Sequence, residues 1–405
     1  MPICRYNVGM SEYLIDLSEL DSHPWAQIKH AFGTSEQIPA LIRELCRIDQ
    51  TDRKSLWTNL NDFMVHQFTI YESTATALPY LIRLTEQLDG EEQEEAIIRI
   101  ACWGPFCDRV GPIEPFPLLP NYQAQLCEAD LPTNSAVANT ATFFIELLGN
   151  TNPKIRRAAA IVMRNFLHPD FAPALVRACK VETDCHASAE MTWALARRRF
   201  DGAAEFYDEM IASPFQMTRF SAAVGSVFES GWNQATTKIL LGSFRDTPTE
   251  KWQERSASGQ LTLEDLILVM SDEQDFVNAM FVWMGAENCE PALETLLQLF
   301  ETDIQCKYAR GSRNDTLVYT WFGVYPFGRN HGAANSKARK RLLDTTELTA
   351  SQTRIVRFFV ERGLTEKFDA LWVKTLLNCS RNLHQLRQAT HLMSDDSLPR
   401  SLWKR

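Results

Sequence analysis

No stretch of this 405-residue chain approaches the ~20 uninterrupted apolar residues a helix needs to cross a bilayer. The N-terminus, MPICRYNVGMSEYL, lacks the basic start, apolar middle and small-residue cleavage site of a secretory signal. A cytoplasmic protein with no membrane partner is therefore expected. The CxxC pair is missing too. Cysteines stand at positions 4, 46, 102, 107, 127, 179, 185, 289, 306 and 379. Only Cys102/Cys107 and Cys179/Cys185/His186 come close together, and neither group has the paired spacing of a zinc site. Buried free thiols in a reducing compartment are expected, with no metal and no cofactor. There is no P-loop, GxGxxG, HExxH or GxSxG, so no enzyme is expected. Basic charge is short: 41 Lys and Arg against 51 Asp and Glu give a net charge of −10. That makes a poor general binder of nucleic acid, where affinity rests on neutralising phosphates, and suits a basic partner.

What the chain has is helical periodicity. In residues 56–82, Leu56, Leu60, Phe63 and Met64 form one apolar stripe, and Ala75, Leu78 and Ile82 another. A short turn, His66–Thr69, lies between them. Two amphipathic helices joined this way cannot bury their apolar faces alone and need a neighbour on each side. Earlier, helices are expected around 11–20 and 36–48. The acidic run Asp89–Glu95 opens another and reads as a solvated first turn. Residues 104–120 carry too much proline and glycine for a helix.

After Asn152-Pro153, Ile155, Ala158, Ala159, Val162, Met163 and Phe166 share a face, with Lys154, Arg156, Arg157, Arg164 and Asn165 off it. Similar patterns return in 185–198 and 215–229. Ala158, Ala189 and Ser221 hold equivalent places, small enough for neighbouring helices to approach closely. Shorter helices are expected at 170–180, 201–212 and 232–245, and further ones around 261–271, 273–285 and 290–302. Thr349-Ala350-Ser351-Gln352 has capping-box spacing, and two last helices are expected near 366–378 and 380–392.

These residues carry a resemblance. NPKIRRAAAIVM resembles the second helix of a HEAT repeat, and HQFTIYESTATALPYLIRL and LTASQTRIVRFFVERG resemble segments of bacterial HEAT-repeat proteins of unassigned role. The repeat step is shorter than the ~40–47 residues usual for HEAT units, and Asn152 stands where those repeats often have Asp. The resemblance implies an all-α, HEAT-like α-solenoid of stacked antiparallel helix pairs that binds along a concave surface formed by one helix layer. The expected organisation is N-terminal helix pairs at 1–103, a Pro-rich loop at 104–120, central repeats at 121–302, an irregular or β-hairpin insertion at 303–336 and C-terminal helices at 337–405.

Two candidate partner-binding surfaces emerge. Arg156, Arg157, Arg164, Arg197, Arg198, Arg199 and Arg219 fall on polar helix sides and are either ordinary solvated faces or a basic track. Tyr319, Trp321, Phe322, Tyr325 and Phe327, beside Arg329, are residue types enriched where partners bind, or else they cap the array's apolar end. His66, Tyr71 and Glu72 are expected to tie a turn to its helix. His331 has nothing obvious to orient it, and the adjacent Cys185 and His186 point apart on a helix. The expected function is capture of another protein, in a specific form an immunity-type inhibitor occluding a basic bacterial toxin. The alternatives are a HEAT-like DNA glycosylase or other nucleic-acid binder using the arginines, and a relative of chromophore lyases.

Overall fold

The computed structural model describes residues 12–30, 32–66, 69–104, 130–196, 198, 200–242, 288–298 and 349–361. Among these the protein is mostly α-helical with little strand. The chain divides into two compact units, the first holding described residues 12–104 and 130–230, the second holding 231–242, 288–298 and 349–361. The expectations for 105–129, for the helices between 261 and 285, for the 303–336 insertion and for the helices after 361 lie outside the described residues.

The first unit runs α1 (Ile38–Cys46), α2 (Arg53–Met64), α3 (Glu72–Gln87), α4 (Gly90–Cys102), α5 (Asp130–Ala138), α6 (Ala141–Leu147), α7 (Pro153–Asn165), α8 (Phe171–Cys179), α9 (Cys185–Ala196), α10 (Ala203–Ile211) and α11 (Gln216–Ser230). Consecutive helices pair as α1 with α2, α3 with α4, α6 with α7, α8 with α9 and α10 with α11. The second members then contact one another in sequence, α2 on α4, α4 on α7, α7 on α9 and α9 on α11. Short polar side chains start these helices by accepting otherwise unmet backbone N–H bonds. Asp52 accepts from Ser55 N at 3.3 Å, Asn152 from Lys154 N at 3.0 Å, and Asp184 from Ala187 N at 2.9 Å. Asn152 thus does the capping that an Asp would do.

A single apolar core joins the helices, with Trp57, Trp103, Phe144, Phe166, Phe171 and Tyr207 nearly or wholly closed to solvent. Ala158, Ala189 and Ser221 are all buried, as close helix approach requires. Gly225 permits the closest contact: a Cβ there would sit 2.4 Å from the Tyr207 ring.

One expectation is corrected. No α-helix covers 12–19; an extended and bent segment reaches a short 3₁₀ turn at Leu20–Ser22. The Asp16 carboxylate accepts from Ser18 N at 2.9 Å and from the Ser18 hydroxyl at 3.1 Å, a local bond that competes with helical pairing. The loop around 66–69 is a hairpin of β3 (Val65–His66) with β4 (Thr69–Ile70), and another joins β1 (Lys29–His30) to β2 (Gly33–Thr34). The second-helix layer offers no open face over much of its length: every residue of 158–165, 187–196 and 220–227 is buried.

In the second unit, α12 (Gln234–Gly242), a helical stretch α13 at 288–298 and α14 (Ala350–Glu361) are described. The expected capping box is formed: Thr349 N donates to Gln352 Oε1 at 2.9 Å, and Gln352 N to Thr349 Oγ1 at 3.2 Å. Glu290 accepts from the Ser351 hydroxyl, and Glu294 pairs with Arg354, so two rungs join α13 to α14.

Candidate interaction surface

Four of the candidate arginines, Arg156, Arg164, Arg198 and Arg219, are committed to other parts of the protein. Arg156 grips Glu182 with two bonds, Nε to Oε2 at 2.7 Å and Nη2 to Oε1 at 2.6 Å, and also donates to Asn150 O. Arg164 donates to Glu190 at 2.7 Å with both side chains at most 1% exposed. Both pairs span 26 residues, so successive helix pairs are locked at a fixed offset. Arg198 donates to Phe166 O and lies over the Phe171 ring. Arg219 caps the carbonyls of Ser213 and Pro214. Arg157 is half-buried. Arg164 therefore corrects the expectation of a solvated side: a wholly buried charge needs its partner, since desolvation outweighs any gain from binding elsewhere. Arg197 and Arg199, and all of Tyr319, Trp321, Phe322, Tyr325, Phe327, Arg329 and His331, lie outside the described residues.

The acidic run is likewise structural in part. Arg53, 7% exposed, donates to Glu92 and to the carbonyls of Leu45 and Arg47, closing the C-terminus of α1 against α4. Arg99 pairs with Glu95 within α4.

His66 does not tie the turn to α3. Its ring stands edge-on to Phe32, centroids 4.9 Å apart, while Ser73 donates to Phe63 O and Thr74 to Met64 O. Those two buried hydroxyls fasten the start of α3 to the last carbonyls of α2, across the β3–β4 hairpin. His30 stands against Phe63 at 4.9 Å, and Phe32 is 63% exposed between the two hairpins.

A second cluster, absent from the sequence reading, gathers where the 12–25 segment crosses α3. His23 Nε2 and the Tyr80 hydroxyl are 2.9 Å apart, their rings edge-on. Trp25 packs edge-on to His23 and is held by an indole bond to Leu20 O at 2.7 Å. The Arg83 guanidinium lies 4.8 Å from the centre of the Tyr80 ring. Trp25 and Tyr80 are buried and His23 is half-buried; around them stand exposed Asp16, Glu19, Asp21 and Glu86, with Asp21 paired to Arg43. Burial raises the Tyr80 hydroxyl above its usual range, Arg83 opposes the rise, and Glu19, Asp16 and Asp21 add to it. The phenol therefore stays protonated, a hydrogen-bonding group rather than a base. Burial also raises the Glu86 carboxyl against the pull of Arg83. The signal in the sequence was the acid-rich run Asp16–His23, which helix-seeking periodicity treats as a polar helix face.

Cys46, Cys179 and Cys185 are not activated nucleophiles. Burial pushes the Cys46 and Cys179 thiols up to about 12, and raises Cys185 as well. A nucleophilic cysteine needs the opposite shift. No group of three or more potential metal ligands occurs among the described residues, and no helix among them is long and apolar enough to cross a membrane. No family model, curated protein or solved structure matches the chain.

Proposed function

We propose that this chain is a HEAT-like α-solenoid that works by capturing another protein, and that it meets a basic partner through the acidic surface of Asp16, Glu19, Asp21 and Glu86 around His23. The observation that carries this reading is where the charge lies. Residues 12–104 hold 16 acidic and seven basic side chains, a net −9 against −10 for the whole chain. Asp16, Glu19, Asp21 and Glu86 are exposed around the partly exposed His23 and Arg83, which the buried Trp25 and Tyr80 hold in place from beneath. Such a field speeds encounter with a cationic protein. A specific form of the reading is an immunity-type inhibitor covering a basic toxin. The paired second helices and the resemblance to HEAT segments support the solenoid.

A nucleic-acid reading draws less support, because Arg156, Arg164 and Arg198 spend their donors on neighbouring helices. Capture from the native source with the full chain as bait tests the proposal. The expected partner is a basic protein whose retention falls steeply between low and moderate salt. Capture of acidic proteins alone, or retardation of DNA at low salt, contradicts it.

A further inference from the structure

The second unit holds a cleft of about 420 Å³ that the protein-binding reading does not use. Its size falls in the roughly 300–1,000 Å³ range of small-molecule sites. One wall is Trp232 with Thr237, Lys238 and Leu241 of α12; the other is Pro291 and Thr295 of α13. The lining is mainly apolar. Trp232 is a fixed wall, only 8% exposed. The ring cannot easily swing in to fill the space.

Lys238 is the one charged residue of the lining; it is exposed, and no ion pair among the described residues engages it. In the first turn of α12 the Thr236 N–H is already taken by Asn233 Oδ1 and the Thr237 N–H by Asn233 O, each at 2.9 Å. An anion entering here would be held by the ammonium, not by the helix end. A cation would be repelled. A neutral apolar guest would screen Lys238 from water without pairing it, which is unfavourable. A phosphate would find one cation where such groups usually gather several donors.

We propose that this cleft binds a small organic monocarboxylate with an apolar body, the body against Trp232, Leu241 and Pro291 and the carboxylate on Lys238. The cleft and the protein-binding surface share no residue, so either proposal can fail alone.

The test titrates the full chain with 4-phenylbutyrate, 4-phenylbutylamine and 4-phenyl-1-butanol by calorimetry and ligand-observed NMR. The acid is expected to saturate one site at least about tenfold more tightly than the amine, with the alcohol between them. Lys238→Gln should weaken the acid about tenfold and leave the alcohol within about twofold. Gly242→Phe should abolish binding of both with the melting temperature unchanged, since a Cβ at Gly242 meets nothing within 4 Å. Thr295→Phe fills the cleft from the opposite wall if the first variant folds poorly. Equal binding of amine and acid, undiminished binding to a folded cleft-filling variant, or no saturation by the acid up to on the order of 10 mM would overturn the proposal.

Discussion

Within the first unit, residues 12–104 carry 16 acidic and seven basic side chains, whereas residues 130–230 carry eleven and ten. The two stretches build similar helix pairs and treat charge differently. In 130–230 the acidic and basic charges nearly balance, and two pairs are turned inward as rungs, Arg156 to Glu182 and the fully buried Arg164 to Glu190. In 12–104 one buried arginine, Arg53, is clamped, while Asp16, Glu19 and Glu86 stay on the surface. Charge used as internal fastening is locked to one partner. Charge left in excess on the surface creates a field that reaches outward, over about 8–10 Å at ordinary salt. The comparison separates a stretch built to hold register from a stretch available to meet something else.

Breaking the inner rung should have the largest effect. Glu190→Gln leaves the Arg164 guanidinium buried beside a neutral amide and should cost about 3–5 kcal/mol in urea unfolding. Glu92→Gln, which removes a half-exposed carboxylate while Arg53 keeps two carbonyls, should cost about 1 kcal/mol or less. Equal losses would erase the distinction. Next, Gly225→Ala forces a methyl into the Tyr207 ring and should cost about 1–3 kcal/mol by the same assay. Capping should be worth the same in both stretches: Asp52→Ala and Asn152→Ala should each cost about 1 kcal/mol.

The rungs should also show in acid. Burial on its own would raise Glu182, but its bonds from Arg156 and from the backbone N–H groups of Asp184 and Thr183 outweigh that, and its carboxyl is lowered overall. A lowered folded-state value means the stabilisation is present above the ordinary carboxylate range and is lost as pH falls through the folded value. Stability of the parent should therefore drop more steeply than that of Glu182→Gln below about pH 4. The smallest contrast is in the thiols. With Cys46 and Cys179 pushed up to about 12, a disulfide reagent at pH 8 should label neither until the protein unfolds, as read by peptide mass spectrometry.

Helical periodicity located most of the described helices well, because an apolar stripe at 3.6-residue spacing has one physical solution when neighbours can cover it. Ile155, Ala158 and Val162 were legible for that reason. Three things were not. The 12–19 segment shows the right mixture for a helix, but Asp16 folds back on Ser18, a bond that composition does not reveal. Arg164 and Asn165 read as solvent-facing because one helix viewed alone has an outside; packing against α4 and α9 removes it, with Asn165 donating to Ala101 O at 2.9 Å and Arg164 to Glu190. The His23–Tyr80 contact joins residues 57 apart in the chain, and no local pattern announces a pair so distant. Of the arginines singled out beforehand, Arg156, Arg164, Arg198 and Arg219 are engaged internally. The surface on which the present proposal rests came from tertiary proximity.

The account stands or falls on the acidic surface of the first unit. The most direct measurement compares partner capture by the parent chain with capture by Glu19→Lys/Glu86→Lys, which leaves Asp16 on Ser18 and should alter unfolding by no more than about 0.5 kcal/mol. The account predicts that a basic protein held by the parent is lost by the doubly reversed chain at equal stability. Retention of the same protein by both, with the same dependence on salt, would contradict it.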